Sequence, residues 1–386
     1  VSESADLAPI REAVRALCAN FPGEYWRRLD RDRAYPEEFV TALTKAGFLA
    51  ALIPEEYGGS GLTMTAAAAI MEEIQAAGCN GAGCHAQMYT MGTVLRHGSP
   101  EQKTRYLPGI ASGALRLQAF GVTEPTSGTD TLSLRTTAVR GGNDSYIVNG
   151  QKIWTSRAEH SDLMLLLART TPRDQVKKRT DGLSVFLVDM REVKGNGLTI
   201  RPIRTMMNHA TTEVFFENMR VPAENLIGTE GEGFRYILSG MNAERILIAA
   251  ECIGDAKWFI AKATAYASER EVFGRPIGKN QGVQFPIARA YIGMRAAELM
   301  VREAAALYEA GKDCAAEANM AKHLAAEASW AAADMCVQTH GGFGFAEEFD
   351  IERKFRETRL YTVAPISTNL VLSYIAEHVL GLPRSY

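Results

Sequence analysis

"LRTTAVRGGNDSYIVNGQKIW", residues 134–154, is where the chain changes its period. Apolar and polar residues alternate on both sides of Gly141-Gly142-Asn143-Asp144, the pattern of two strands joined by a tight hairpin. "LMLLLART" (163–170), "LSVFLVDM" (183–190), "LTIRPI" (198–203) and "TEVFFENMRVP" (212–222) follow at short intervals. Strands this close together, with no room for crossover helices, predict an all-β sandwich or barrel from about 119 to 228 rather than βαβ units.

The segments on either side are helical. Upstream, "PEEFVTALTKAGF" (36–48) opens on proline and repeats apolar residues at helical spacing. "MTAAAAIMEEIQAAG" (64–78) is alanine-rich and ends on Gly78, and "SPEQKTRYLPGIASG" (99–113) has Ser99 as its N-cap. A glycine-rich turn, "IPEEYGGSGLT" (53–63), separates the first two. Downstream, long helical patterns cover 234–270, 285–311, 314–342 and 350–381, joined by short connections as in a four-helix bundle. Pro365 falls inside the last of these and is expected to kink or break it. The fold expected is mainly α with a central β module: an N-terminal helical domain (1–118), a β domain (119–228) and a C-terminal four-helix bundle (229–386).

Composition narrows the function. The 386 residues carry 42 Lys and Arg against 45 Asp and Glu, a net charge of −3, which argues against broad nucleic-acid binding. The most apolar run, "LMLLLA" (163–168), is far too short to span a bilayer. The opening "VSESADLAPIREAV" has the build of neither a signal peptide nor a transit peptide, and a cytoplasmic location is expected. Six scattered cysteines without a CxxC pair read as reduced structural thiols. No HExxH motif or histidine cluster marks a metal site.

Four stretches carry chemistry. "FGVTEPTSGTD" (120–130) offers hydroxyls and backbone N–H groups able to hold a polar planar ligand with neutral donors. In "NGQKIWTSRAEHSD" (149–162), Trp154 stands beside Thr155 and Ser156, an aromatic face next to hydrogen-bond donors. "SEREVFGRPIGKNQ" (268–281) groups Arg270, Phe273, Arg275 and Gln281, and arginine clamps a pyrophosphate bidentately. "QTHGGFGF" (338–345) ends a helix on two glycines that allow close backbone approach, yet matches neither the GxGxxG nor the P-loop fingerprint.

With "PEEYGGSGL" (54–62) added, these segments in this order closely resemble the acyl-CoA dehydrogenase family over nearly the whole chain. The resemblance implies a non-covalent FAD, an acyl-CoA thioester substrate, α,β-dehydrogenation, a homotetramer, and electron-transferring flavoprotein as acceptor. It further implies that Phe120, Val122 and Thr123 line the flavin ring, and that Thr129 sits beside FAD and the CoA arm. By the same resemblance, Trp154 is expected to pack on the flavin with Ser156 near N5, and Arg270, Phe273, Gln281, Gln338, Gly341 and Gly342 are expected to reach the FAD of a neighbouring subunit. Ser367 and Asn369 are expected near its adenine end, and Asn242 and Arg245 are expected to position CoA or the active-site helix.

The reaction needs one carboxylate to remove the α-proton, positioned and desolvated so that its pKa rises toward the working pH. Most family members carry it in a "YEGT"-like segment, which here reads Ala364, Pro365, Ile366 and Ser367. A minority, resembling isovaleryl-CoA and long-chain acyl-CoA dehydrogenases, place a glutamate just before an arginine on an earlier helix. "GMNAERILIAA" (240–250) has Glu244 and Arg245 there, so Glu244 is the expected base. Glu251, seven residues on, shares its helix face but matches no family site. Proline at 365 also removes the backbone N–H that the family uses, with a ribityl hydroxyl, to hold the thioester oxygen, a loss worth roughly 3–4 kcal/mol in comparable enzymes. That loss keeps two alternatives open: a flavin oxidase or monooxygenase of the same fold, and a non-catalytic member that binds FAD or acyl-CoA. Met88, Tyr89 and Met91 are candidates for an acyl pocket, and the acyl group itself is not fixed by these motifs.

Overall fold

The computed structural model describes residues 7–142 and 144–385. Asn143 of the expected hairpin and the first six residues lie outside them. Helices come first: α1 (Ala8–Cys18), α2 (Gly23–Asp32), α3 (Glu37–Lys45), α4 (Met64–Ala76), α5 (Ala82–His97) and α6 (Pro100–Ser112). Next come β1 (Leu117–Gly121), β2 (Thr137–Arg140), β3 (Ser145–Ser156), β4 (Leu163–Arg169) and β5 (Leu183–Asp189). The single turn α7 (Met190–Val193), β6 (Leu198–Pro202), β7 (Thr211–Pro222) and β8 (Leu226–Ile227) complete the β module. The chain then runs through α8 (Gly233–Glu269), the short pair β9 (Glu271–Val272) and β10 (Arg275–Pro276), α9 (Gln281–Glu309), α10 (Ala315–His340), α11 (Ile351–Thr358) and α12 (Thr368–Tyr374). Helices, strands and helices therefore follow one another as the periodicities predict.

Local chemistry sets the helix ends. The Thr63 hydroxyl accepts from the Ala66 N–H to start α4. At α6 the Ser99 hydroxyl accepts from the Gln102 N–H while the Gln102 side chain accepts from the Ser99 N–H, a reciprocal capping box. The fourth long helix expected at the C-terminus is instead divided. α11 ends at Thr358 and α12 starts at Thr368, with Pro365 between them in a cis peptide bond after Ala364. All six cysteines are buried, and none forms a disulfide among the described residues.

By its internal contacts the chain forms two compact units: residues 35–62 with 82–241, and residues 1–34 and 63–81 with 242–386. In the first, the strands join one sheet in the order β6-β7-β3-β2-β4-β5-β8, with β1 added parallel to β4. β2 also pairs parallel to β4, at Thr137 and Arg169, so the sheet is mixed. β2 and β3 form the expected antiparallel hairpin, Arg140 opposite Tyr146. β4 and β5 pair antiparallel and are buried on both faces, which is why they read as continuous apolar runs. Leu163, Leu165 and Leu167 of β4 face a core shared with Met91 and Val94 of α5 and Tyr106 and Ile110 of α6. Met164, Leu166 and Ala168 face the opposite core, where Tyr146 of β3 meets Phe186 of β5 edge to face at 4.9 Å.

One buried ion pair fixes the loop that follows β1. Lys152 of β3 is fully buried, and its ammonium donates to Glu124 Oε1 at 2.9 Å and to the Val122 carbonyl at 3.0 Å. The Glu124 carboxylate also accepts from the N–H groups of Arg135 (2.6 Å) and Thr136 (2.9 Å). Burial pushes Lys152 down to about 8, against the pull of Glu124. Glu124 stays below the ordinary carboxylate range because Lys152 and the Thr136 and Arg135 donors outweigh its own burial. Both groups are therefore ionised at neutral pH.

In the second unit, α8, α9 and α10 supply most of the core: Ile246, Ile253 and Phe259, then Met294 and Val301, then a line of alanines on α10. Gly254 lets α8 approach α4 closely, since a Cβ there would lie 2.2 Å from the Glu72 carbonyl oxygen. The interior also holds Lys354 of α11, which pairs with Asp255 and donates to Gln75 Oε1 at 2.6 Å and to the Cys79 carbonyl at 3.2 Å. Burial pushes Asp255 up to about 6, opposed by Lys354.

Two outcomes follow from these buried lysines. Lys354→Met strands the Asp255 carboxylate and should cost about 3–5 kcal/mol in urea unfolding, with Asp255→Leu in the same chain recovering part of the loss. The folded value of Lys152 lies below that of an unfolded lysine, so from about pH 8 upward the unfolded chain binds the extra proton and this group's contribution to stability rises with pH. Unfolding free energies measured from pH 7 to roughly pH 10 should show that rise in the parent and lose it in Lys152→Met. The same variant should be about 3–5 kcal/mol less stable at neutral pH because Glu124 is left unpaired.

Candidate active site

The expected site residues fall in both units, and each group is built by its own local structure. In the sheet-bearing unit, Phe120 ends β1, and Val122 and Thr123 follow it in the segment that Lys152 clamps. The Ile153 N–H donates to the Thr123 carbonyl at 2.9 Å, which brings this loop beside the Trp154 strand. β3 carries one extra residue against β7 there: Lys152 pairs with Val214 and Thr155 with Thr212. The bulge holds Trp154 at a φ of 60° and turns its indole outward, 57% exposed, while Thr155 is buried. Ser156, two residues on, is half-buried. Thr129 stands exposed just past a tight turn closed by mutual backbone hydrogen bonds between Glu124 and Ser127.

Of the three acyl-pocket candidates, Met88 and Met91 are buried, Met91 within the core that packs on β4. Tyr89 is half-buried, and its ring meets Phe120 edge to face at 5.4 Å. Two residues that the sequence reading passed over lie next to Ser156. Arg157 is buried in a left-handed conformation, and its guanidinium lies 3.2 Å from His209. Burial, reinforced by the charge of Arg157, keeps His209 well below its ordinary value and so neutral. Neither position has a periodicity or motif that would have singled it out.

In the helical unit, "REVFG" and "QTHGGFG" come together. Arg270 leaves the end of α8 with its guanidinium 5.8 Å from the Phe343 ring centroid. Phe273 is fully exposed at a φ of 52°. Gln281 begins α9, and Gln338 is exposed near the end of α10. Gly341 and Gly342 have open space where a Cβ would stand. The Ser367 hydroxyl caps α12 by accepting from the Leu370 N–H at 3.4 Å, and Asn369 is exposed on its first turn.

Glu244 and Arg245 lie on α8, where neighbouring Ile246, Leu247 and Ile248 pull that face inward, and Glu244 is 6% exposed. Arg245 donates to Asn242 Oδ1 at 2.9 Å. Burial lowers Arg245 from its ordinary value, while the charges of Glu244, Tyr374 of α12 and Cys314, just before α10, raise it. Glu251, two turns on, is buried deeper and accepts at Oε2 from the Tyr361 hydroxyl (2.9 Å) and Gln75 Nε2 (3.0 Å). Pro365 is half-buried, and the ammonium of fully buried Lys322 on α10 donates to the next residue's carbonyl, Ile366 O, at 2.8 Å. Lys322 falls on the inward stripe of Ala318, Ala321 and Ala325, a register that marks it as buried from sequence.

The residues present suit FAD. One unit presents an exposed indole and neutral donors beside a clamped loop, and the other presents an open diglycine with exposed arginine and glutamine side chains. Among the described residues no cluster of His, Cys, Asp and Glu could hold a metal ion, and no helix is long and apolar enough to cross a membrane.

Three sequence profiles match in turn: the N-terminal domain of acyl-CoA dehydrogenase at residues 4–114, its middle domain at 119–219 and its C-terminal domain at 231–380. An acyl-CoA dehydrogenase of Mycobacterium bovis is 36% identical over 387 residues, covering 100% of this chain and 98% of its own. The glutaryl-CoA complex of glutaryl-coenzyme A dehydrogenase superposes with a TM-score of 0.92 at 29% identity, over 100% of this chain and 98% of that one. A chain from a structure of the electron transferring flavoprotein of Acidaminococcus fermentans reaches 0.91 at 31% identity, over 98% and 99%. Matched end to end in sequence and in fold, this chain belongs to the acyl-CoA dehydrogenase family.

Proposed function

We propose that the protein is an FAD-dependent dehydrogenase that introduces a Cα–Cβ double bond into an acyl-CoA thioester, with Glu244 as the base. The observation that carries this reading is a buried carboxylate directly before Arg245 on α8, in a chain whose "APIS" turn has no acid. Glu244 accepts the α-proton in a site shielded from water, where a carboxylate is a stronger base. Bound FAD supplies the acceptor for the β-hydrogen, which leaves with its electron pair. Arg245 and Asn242 orient the helix turn and the CoA arm, Trp154 and Ser156 bound the flavin, and Phe120, Val122, Thr123 and Thr129 line it. Glu251 is held by Tyr361 and Gln75 and matches no family site, whereas Glu244 stands directly before Arg245 as the base does in part of the family.

Assembly as a homotetramer is the second part of the proposal. Phe285, Tyr291, Ile292 and Leu299 stand exposed along α9, and Tyr291 and Ile292 line a 550 Å³ groove shared with Ile260 of α8. A surface of this kind is covered in an oligomer more readily than left in water. Arg270, Phe273, Gln281, Gln338, Gly341 and Gly342 would then serve the FAD of a neighbouring copy, and Ser367 and Asn369 its adenine end. Electron-transferring flavoprotein is the proposed acceptor, a cytoplasmic location is proposed, and the proposed functional division falls at 1–118, 119–228 and 229–386.

The purified protein should be yellow, and one or more of a panel of straight, branched, cyclic and aromatic acyl-CoAs should bleach it anaerobically. Glu244→Gln should keep its flavin spectrum and slow bleaching by about 10³-fold. Bleaching at the parent rate would reject Glu244. An oxidase, the reading that Pro365 favours, would consume oxygen and release peroxide without any acyl-CoA.

A further inference from the structure

As the α-proton leaves, charge gathers on the thioester oxygen, and a fixed donor is needed there. Pro365 has no N–H to give. The N–H groups of Val363 and Ala364 are both spent on the Leu360 carbonyl, each at 2.9 Å. The next peptide whose orientation is held from outside the turn links Ile366 to Ser367. Its carbonyl oxygen receives the Lys322 ammonium at 2.8 Å. Its N–H, on Ser367, makes no hydrogen bond among the described residues, and Ser367 is half-buried, within reach of a ligand.

Two physical consequences follow. In a trans peptide the C=O and N–H point in opposite directions, so a carbonyl locked toward α10 aims the Ser367 N–H away from it. A cation on the carbonyl also polarises the peptide and makes its N–H a stronger donor. Lys322 is an expensive residue to use only for packing. It is fully buried, and among the described residues no carboxylate pairs with it. Burial lowers it from the ordinary lysine value, Cys252 opposes that shift, and Arg245 adds to it. It therefore lies within charge range of the residue next to Glu244.

Resting on the proposed dehydrogenation, we propose that the Ser367 N–H donates to the thioester carbonyl oxygen in place of the N–H missing at 365, and that Lys322 is the positioning residue that aims it. The Lys322 side chain acts only through the Ile366–Ser367 peptide and exchanges no proton with substrate.

The test uses the holoenzyme with an enoyl-CoA product carrying a ¹³C thioester carbonyl, read by difference infrared spectroscopy. In the parent, the bound carbonyl stretch should lie below its value in solution. Amide-to-ester replacement at residue 367 should move the stretch back toward the solution value and slow bleaching by about 10²–10³-fold, with the flavin spectrum unchanged. The same replacement at residue 366 should change neither. Lys322→Met should return the stretch part of the way, and Lys322→Arg should restore it. A parent stretch with the 367 ester, or a loss seen only with the 366 ester, would overturn the assignment. If the 367 ester chain fails to retain flavin, the Lys322 pair decides, and an unshifted stretch in Lys322→Met overturns it. Failure of the underlying reading looks different: no acyl-CoA would bleach the unsubstituted enzyme at all.

Discussion

Taking a lysine ammonium out of water costs several kcal/mol unless strong acceptors replace the lost hydration. Among the described residues this happens at Lys152, Lys322 and Lys354. Each is tied to backbone that carries no regular secondary structure of its own. Lys152 holds the Val122 carbonyl, Lys322 the Ile366 carbonyl and Lys354 the Cys79 carbonyl. The long helices and the sheet would form from their apolar faces alone. What those faces cannot specify is the path of the segments between elements, and several of the candidate cofactor residues, Val122, Thr123 and Ser367 among them, lie on such segments. Buried cations set that path at a few fixed points.

Much of the fold was legible because its signals are local. The change from helical to alternating period located the β module, and the Ser99 and Gln102 pair gave a helix start. Pro365 gave a helix break, although the sequence suggested one long helix where two short ones stand. The mixed character of the sheet was not legible. The parallel pairing of β1 with β4 joins residues more than 40 positions apart, and no local pattern distinguishes it from an antiparallel neighbour. The same limit applies to Lys152 with Glu124 and to Arg157 with His209, which are partners only through the fold.

The candidate site divides along the same line. Trp154, the diglycine at 341–342 and Glu244 could be nominated from short motifs with a family resemblance behind them. The environment of Glu244 could not, since the burial of Arg245 and the charges that act on it come from residues as distant in sequence as Lys322 and Tyr374. Proline at 365 reads from sequence as a loss of two functions at once. In three dimensions the turn around it is fastened from both sides, by Glu251 to Tyr361 and by Lys322 to Ile366, so the change of residue has not left a slack loop.

The bulge in β3 has a consequence for how this protein can vary. Because the extra residue is absorbed between Lys152 and Thr155, the ladder resumes in register at Thr212, and the hydrogen bonding beyond it does not depend on what occupies position 154. The aromatic facing outward there is thus insulated from the strand pairing that holds the sheet. Substitutions at 154 can retune the ring surface with little effect on folding, whereas deleting a single residue between 152 and 155 would mend the ladder and erase the surface altogether.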